Sequence, residues 1–220
     1  MTKNGLIANG NTLLSFTPMY KRIINKLIQQ LEVRSIPTKE KAVYLTFDDG
    51  PEEGILDFVL SELDKYNYKA TFFCRGDNAE RNPHFLEMLR QKGHSIGNHT
   101  YSHLNAFCTP AATYAADAER ADAILHTPLF RASYGRLTVG TWLKLRKKYR
   151  FIYWTLNSGD SDLERYDHQQ ALSNLKTKTR SGDIILFHFC QRHEQETRRL
   201  LPKYLEWLHD NGYKSLAIRP

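Results

Sequence analysis

Short apolar runs alternate with amphipathic stretches along the chain after residue 40. The apolar runs have the length of strands, and the stretches between them carry apolar residues every three or four positions, as helices do. Because strands and helices alternate, the pattern predicts an α/β fold with a parallel sheet and right-handed crossovers. It fits an open sheet or a closed barrel. The predicted strands are 42–47, 70–74, 94–98, 129–131, 151–155, 183–188 and 214–218.

Four helices are predicted from periodicity and from the residues that begin and end them. Asn82-Pro83 and Thr109-Pro110 each have the form of a helix start, and Asn211-Gly212 has that of a helix end. No Gly-x-Gly-x-x-Gly motif or phosphate loop follows the first strand, which argues against a nucleotide-binding version of the fold. The helical faces are Ile55, Val59 and Leu63; Phe85, Leu86 and Leu89; Tyr114, Ala115, Ala118 and Ala121; and Leu200, Leu201, Tyr204, Leu205 and Leu208.

Residues 1–40 form a predicted N-terminal extension, and residues 41–220 form the main domain. Within the extension, Thr17-Pro18 predicts a helix start. The helix would be amphipathic, and packing against the following domain is favoured over contact with a membrane surface. The first residues lack the pattern of a signal peptide. The apolar face of this helix is Ile23, Ile24, Leu27, Ile28 and Leu31.

Composition narrows the possible functions. The 220 residues carry a net charge of +7, which favours anionic partners such as a cell-wall polymer, although a generally basic surface explains it equally well. No zinc-finger spacing or basic run is present, so nucleic-acid binding is not predicted. No apolar run approaches the roughly 20 residues that span a bilayer. The three cysteines have no Cys-x-x-Cys spacing and are expected to be free thiols.

Polar residues follow the predicted strands. Carboxyl ends of parallel strands share one face of an α/β fold, where active sites form. We therefore expect these side chains to lie close together. They are Asp48 and Asp49 after the first strand, His99 and His103 after the third, Arg131 at the fourth, Asp160 after the fifth and His188 at the sixth.

Asp48 and Asp49 precede a Gly-Pro turn, and alone they would indicate only turn chemistry. Adjacent side chains on a strand point in different directions, so one carboxylate could bind a metal while the other handles a proton. His99 and His103 have the i, i+4 spacing that places two imidazoles on one face of a helical turn. With Asp49 they make a metal site with open coordination positions. Zinc fits these ligands best, and cobalt, nickel, manganese or iron(II) could also bind.

His188 follows an apolar strand that would hold its imidazole rigidly, and we predict a general acid. A structural histidine that ends the strand is the alternative. Cys190 lies two residues further on. A metal-activated water makes a protein nucleophile unnecessary, so Cys190 is not predicted to be one.

Five motifs in order carry a resemblance to a known family. They occupy residues 46–51, 99–103, 130–135, 154–160 and 186–188. The chain resembles the polysaccharide deacetylases, carbohydrate esterase family four, over roughly residues 40–218. The resemblance implies a distorted parallel (β/α) barrel with fewer than eight strands, which agrees with the seven predicted here. It also implies hydrolysis of the N-acetyl group on an N-acetylglucosamine-type sugar.

The resemblance also implies a role for each site residue. Asp49, His99 and His103 would bind the metal, and Asp48, oriented by Arg131, would be the general base. The backbone N–H of Tyr134 would stabilise the oxyanion. His188 would protonate the leaving amine, with Asp160 tuning it, and Leu186 would line the pocket for the acetyl methyl group.

The third and fourth motifs depart from the family pattern. Ala132 and Ser133 stand where proline is usual, and Asn157 stands where the fourth motif usually has its first Asp. Ser161 replaces a tryptophan that normally forms a wall of the acetyl pocket. Phe189, Tyr166 or Trp154 could take its place, or the pocket could be more open. The predicted substrate-binding residues are Leu186, Tyr134 and Trp154.

The predicted function is metal-dependent N-deacetylation of peptidoglycan or chitooligosaccharide. Two alternatives remain: an esterase that removes O-acetyl groups from a xylan-type polysaccharide, and a carbohydrate-binding protein that has lost catalysis. The predicted partner is a carbohydrate polymer, and the oligomeric state is open. The compartment is open too, because a wall substrate suggests the cell envelope whereas the sequence shows no export signal.

Overall fold

The computed structural model describes residues 32–220. The predicted helix that begins at Thr17-Pro18 and buries its face up to Leu31 lies outside the described residues. The boundary between residues 40 and 41 stays a prediction. None of the helices in residues 32–220 is both long and apolar enough to cross a bilayer.

The described residues form one sheet of eight short parallel strands. Seven lie on a single path in the order β5-β4-β3-β2-β1-β7-β6, and β8 pairs with the start of β1. The predicted class, an α/β fold with a distorted parallel barrel of about seven strands, is confirmed. The strands are β1 Ala42–Asp48, β2 Ala70–Cys74, β3 Ser95–Asn98, β4 Leu129–Phe130, β5 Arg150–Phe151, β6 Leu156–Asn157, β7 Ile184–His188 and β8 Lys214–Ser215.

The predicted strand at 151–155 is wrong in its extent. The structure has two strands of two residues in this region, β5 and β6, which lie at opposite ends of the sheet path. Tyr153 and Trp154 connect them with stacked rings whose centroids are 3.9 Å apart. Periodicity could not reveal two strands this short, because each contains only one side-chain alternation.

Seven α-helices occur in the described residues, and they include the four that were predicted. α2, α5 and α6 were missed. α2 and α5 are only six and seven residues long, and α6 fully buries only Leu175, so its apolar face, completed by the half-buried Ala171 and Leu172, is a weak signal. The helices are α1 Ile55–Asp64, α2 Gly76–Arg81, α3 Pro83–Gln91, α4 Ala111–Leu125, α5 Val139–Leu145, α6 His168–Lys178 and α7 Glu194–Asp210.

The centre of the sheet is buried on both faces. All seven residues of β1 are buried, as expected for a parallel strand covered by helices. Phe47 stacks on Phe72 of β2 at 5.1 Å and packs against Phe187 of β7 at 5.8 Å. The same three residues are register partners. This aromatic packing fixes the strand ends that follow it, and the next pair in register is Asp48 with His188.

Residues 33–36 pair with the sheet near its two ends. Val33 donates to the carbonyl of Phe151 and accepts from the N–H of Tyr153, each at 2.8 Å. Ile36 donates to the carbonyl of Gly182, just before β7, at 2.9 Å. The last residues of the predicted extension therefore connect the β5 side of the sheet to the start of β7.

Candidate active site

A cavity of about 540 Å³ opens at the carboxyl ends of the strands. Two of the predicted site residues, Arg131 and Asp160, are fully buried behind it. The structure therefore brings every predicted site residue to one place, as the strand-end argument anticipated. The other predicted residues line the cavity: Asp48, Asp49, His99, His103, Tyr134, Trp154, Leu186 and His188.

Asp49, His99 and His103 form a cluster suited to a metal ion. One potential ligand atom from each lies within 4.8 Å of the others. The Nε2 atoms of His103 and His99 are 3.0 and 3.5 Å from Oδ1 of Asp49. That oxygen is buried, yet it makes no hydrogen bond of acceptable geometry to any described residue. An unpaired carboxylate oxygen facing two imidazole nitrogens fits a divalent cation.

His99 is held in the form that binds a metal. Its Nδ1 lies 2.8 Å from the carbonyl oxygen of Arg131, and since a carbonyl only accepts, Nδ1 carries the hydrogen. Burial lowers the pKa of His99 to about 4, although Asp48 and Asp49 act in the opposite direction. The neutral ring therefore presents a free lone pair on Nε2 toward Asp49.

The helical turn predicted for His99 and His103 is wrong. Residues 99–105 are not helical, and Thr100 and His103 have φ values of 65° and 56°. The backbone N–H groups of Tyr101 and Ser102 both donate to Asp117 of α4, at 2.9 and 3.0 Å. This anchored loop brings the centroids of the two imidazole rings within 5.1 Å of each other. The i, i+4 spacing therefore predicted the correct pair of residues, although a loop and not a helical turn brings them together.

Asp49 is turned away from Asp48 by its backbone. Its φ is 82°, in the left-handed region, and its carbonyl accepts a hydrogen bond of 2.8 Å from the side chain of Asn78. Gly50 follows because a Cβ there would lie 2.4 Å from the Phe189 ring. Burial by itself would raise the pKa of Asp49, but contact with His103 and the electrostatic attraction of the nearby imidazoles, His188 among them, hold that pKa well below its usual range.

Asp48 is held by a buried arginine. Nη1 of Arg131 donates to Oδ1 of Asp48 at 2.7 Å and to the hydroxyl of Thr46 at 2.8 Å. The guanidinium also donates to the carbonyls of Ile152 and Tyr153 and lies 4.1 Å from the centre of the Phe73 ring. With Oδ1 engaged, Oδ2 lies 3.8 Å from Nε2 of His99, beside the metal cluster.

His188 is paired with a buried carboxylate. Its Nδ1 and backbone N–H donate to the two oxygens of Asp160, at 2.7 and 2.8 Å. Burial by itself would lower the pKa of His188, but Asp160, with smaller contributions from Asp49 and Asp48, raises it to about 9. The ring is therefore protonated at neutral pH, with Nε2 left for another partner.

Three further predicted residues form walls of the cavity. Leu186 is buried at its floor, and Trp154 lines it while Phe189 and Tyr166 do not. Phe189 instead packs in the core, 5.1 Å from the centre of the Phe72 ring. Tyr134 has a φ of 59°, and its half-exposed ring lies 4.4 Å from that of His103. Of the three proposed replacements for the missing tryptophan, only Trp154 therefore reaches the cavity.

Sequence reasoning missed several residues that line the cavity. Arg75 follows β2, so the strand-end rule could have found it; its guanidinium pairs with Asp77 at 2.5 Å. His193 lies in the segment after β7 and carried no motif signal. The missed residues are Glu52, Arg75, Arg136, Arg192 and His193, together with Cys190, which was considered only as a nucleophile.

The fold and the cavity together define a class of protein. A two-histidine, one-carboxylate cluster lies beside a carboxylate held by arginine and a histidine held by aspartate. That arrangement offers a metal position, a proton acceptor and a proton donor around one space, as hydrolases with a metal-activated water require.

Comparison with known proteins identifies the family. A family model described as polysaccharide deacetylase matches residues 35–151, more than half of the chain. One peptidoglycan-N-acetylglucosamine deacetylase of Bacillus cereus is 32% identical over 83% of this chain and 68% of its own length. Another from the same organism is 28% identical over 83% of this chain and 89% of its own length. The structure of the Bc1960 peptidoglycan N-acetylglucosamine deacetylase superposes with a TM-score of 0.79 at 26% identity, covering 92% of this chain and 95% of that one. The chain belongs to the polysaccharide deacetylase family, which confirms the predicted resemblance.

Proposed function

We propose that the protein is a metal-dependent deacetylase that hydrolyses N-acetyl groups of an N-acetylglucosamine-type polysaccharide, with peptidoglycan as the foremost substrate. The observation that carries the proposal is the placement of the metal cluster, Asp48 and His188 around a single cavity. The names of the two Bacillus cereus relatives support peptidoglycan as the substrate class.

Asp49, His99 and His103 would hold the metal, and zinc suits two imidazoles and one carboxylate with open positions. A bound divalent ion would supply a water of lowered pKa and polarise the acetyl carbonyl. The neutral state of His99 and the ionised state of Asp49 make both ready to bind a cation near neutral pH.

Asp48 would act as the general base. Arg131 occupies Oδ1, so Oδ2 is the oxygen that faces the cluster and can accept a proton from the attacking water. The buried ion pair holds this carboxylate in one orientation, and Thr46 fixes Arg131 in turn. Proton acceptance therefore needs no rearrangement of the side chain.

His188 would act as the general acid. An amide nitrogen is a poor leaving group until it is protonated, and Nε2 of the cationic ring can supply that proton. Asp160 holds the ring through Nδ1 and stabilises its charge. The backbone N–H of Tyr134 would donate to the developing oxyanion, and Leu186 and Trp154 would bind the acetyl group.

Acetate release tests this proposal. The protein is incubated with chitooligosaccharides, with peptidoglycan fragments and with acetylxylan, before and after treatment with chelator. We expect release from the amide substrates that chelator abolishes and zinc restores. Faster release from acetylxylan than from either amide substrate would favour an O-acetyl esterase, and sugar binding without turnover at any metal would favour a binding protein that has lost catalysis.

Asp48→Asn distinguishes the role of Asp48 from that of the adjacent Asp49. Asn keeps the size of the side chain but cannot accept the proton, so turnover should stop while the metal stays bound. The matched control is Asp57→Asn on the exposed side of α1, which should retain both. Loss of metal from Asp48→Asn would contradict the division of roles between Asp48 and Asp49.

A further inference from the structure

A second group of potential metal ligands shares Asp49 with the first. One atom each from Asp49, Cys190 and His193 lies within 4.8 Å of the others. Cys190 and His193 belong to the segment that follows β7, and both line the cavity. Asp49 is thus common to two clusters, and a carboxylate has two oxygens with which to bind cations.

His193 has the features of a ligand without a partner. The residue is buried, with a relative exposure of 5%. Nδ1 of this ring makes no hydrogen bond to any described residue. Buried polar atoms are almost always paired, and leaving one unpaired is destabilising. An unpaired ring nitrogen of a neutral imidazole can offer its lone pair to a cation.

Cys190 supplies the sulfur. The residue is buried, and its thiol is free. A bound metal ion displaces the proton of a cysteine thiol, so the ligand would be the thiolate.

We propose that Asp49, Cys190 and His193 form a second metal site, which takes a thiophilic divalent cation such as zinc, cobalt or cadmium once the cluster with His99 and His103 is filled. Sulfur, imidazole and carboxylate are the ligands that zinc prefers in proteins. The site is the weaker of the two, because it shares Asp49 with another cation and lies beside the cationic ring of His188, whose centroid is 5.1 Å from that of His193.

A cation at this position inhibits the enzyme. It occupies the space next to His188, where the leaving amine must take its proton, and its charge opposes the protonated ring. Excess zinc should therefore slow deacetylation that the first equivalent of zinc supports. This consequence rests on the proposed function, whereas the existence of the site does not.

Cobalt titration of the metal-free protein tests the site directly. A thiolate bound to cobalt(II) gives a sulfur-to-metal charge-transfer band in the near ultraviolet, which nitrogen and oxygen ligands do not give. We expect the band to grow with the second equivalent of cobalt and to be absent from Cys190→Ser. The matched control is Cys108→Ser, which changes the exposed free cysteine and should keep the band.

His193→Gln provides a second variant that keeps the sulfur. We expect the band to need at least about tenfold more cobalt, which corresponds to about 1.4 kcal/mol. Circular dichroism of each variant confirms its fold. Absence of the band from the wild-type protein, or its persistence in Cys190→Ser, would overturn the proposal.

Zinc inhibition of acetate release tests the consequence. Each protein is compared with its own rate at one equivalent of zinc, and we expect Cys190→Ser to resist an excess that slows the wild type and Cys108→Ser. Equal inhibition of all three would refute the inhibitory role. A cobalt band in a protein that releases no acetate would support the second site while contradicting the proposed function, so the two failures are distinguishable.

Discussion

His99 and His188 both line the cavity, His99 buried and His188 mostly buried, and each donates its Nδ1 hydrogen to an oxygen. The oxygen that receives it differs. His99 donates to a neutral backbone carbonyl at 2.8 Å, whereas His188 donates to the carboxylate of Asp160 at 2.7 Å. Burial lowers the pKa of His99 to about 4, whereas Asp160 overcomes the effect of burial and raises that of His188 to about 9.

The difference shows that the partner, more than the imidazole or its burial, sets the charge of each ring. A carbonyl fixes the tautomer without adding charge, which leaves a neutral ligand for a cation. A carboxylate stabilises the imidazolium and keeps a proton available. In the proposed mechanism, one residue type thus supplies both a metal ligand and an acid.

Removing the neutral ring of His99 should have the largest effect on metal binding and activity. We expect His99→Gln to lose the bound metal and to lower kcat/KM on the order of 10³-fold, since the activated water goes with the ion. Metal content by atomic emission and acetate release measure the two losses. His84→Gln, on the exposed face of α3, is the control. Full metal content in His99→Gln would show that this ring is not a ligand.

Removing the cationic ring should leave the metal in place. We expect His188→Gln to lower kcat by about 10²–10⁴, the usual contribution of a general acid or base. Metal content should match that of the wild type. A fall in metal content parallel to that in kcat would mean that His188, like His99, is needed for metal binding, and would contradict the proposed difference between the two rings.

Removing the charge of the partner should make His188 resemble His99. The amide oxygen introduced by Asp160→Asn can still accept the Nδ1 hydrogen, although its NH2 group cannot accept from the backbone N–H of His188 as Oδ2 does. Loss of the negative charge lowers the pKa of His188. In the proposed mechanism the protonated form is the active one, and rate is lost as pH rises through that pKa. The alkaline limb of the kcat profile should therefore move to lower pH by at least about one unit, equivalent to 1.36 kcal/mol. An unmoved limb would exclude Asp160 as the cause of the raised pKa.

Removing the uncharged hydrogen bond from Thr197 to Asp160 should have the smallest effect on activity. The hydroxyl of Thr197 lies 3.2 Å from Oδ2 of Asp160 and 3.0 Å from the carbonyl of His188. We expect Thr197→Val to lower the free energy of unfolding by about 1 kcal/mol, the value of one hydrogen bond. Urea unfolding measures this loss. An alkaline limb displaced as far as in Asp160→Asn would show that hydrogen bonding, rather than charge, sets the pKa of His188.

The sequence identified most of the site because the relevant information is local. Strand ends mark where side chains of a parallel sheet converge, and the five motifs lie at such ends. The pairings of Asp48 with Arg131 and of Asp160 with His188 were anticipated, and each ion pair is present at 2.7 Å. Those residues are 83 and 28 positions apart, so the family resemblance, and not their spacing, made the pairing predictable.

What the sequence did not reveal depends on tertiary contacts. His99 and His103 meet through a loop held by Asp117 of α4, and nothing in the spacing distinguishes that loop from a helical turn. β5 and β6 are two residues each and are defined by pairing with their neighbours, β5 with the equally short β4 and β6 with the longer β7. His193 reaches the cavity only because the segment after β7 folds back, so its orientation could not be inferred from its position in the chain.

The backbone conformation around the cavity affects which substitutions selection can accept there. Asp49, Thr100, His103 and Tyr134 all have φ values between 56° and 82°, a conformation that costs about 1–2 kcal/mol for residues other than glycine. At Asp49, selection for folding alone would favour glycine, and the proposed metal-binding role opposes it. Asp49→Gly should therefore melt at a higher temperature than Asp49→Ala, although neither should release acetate. At this position, a single substitution would relieve backbone strain and remove the proposed activity together.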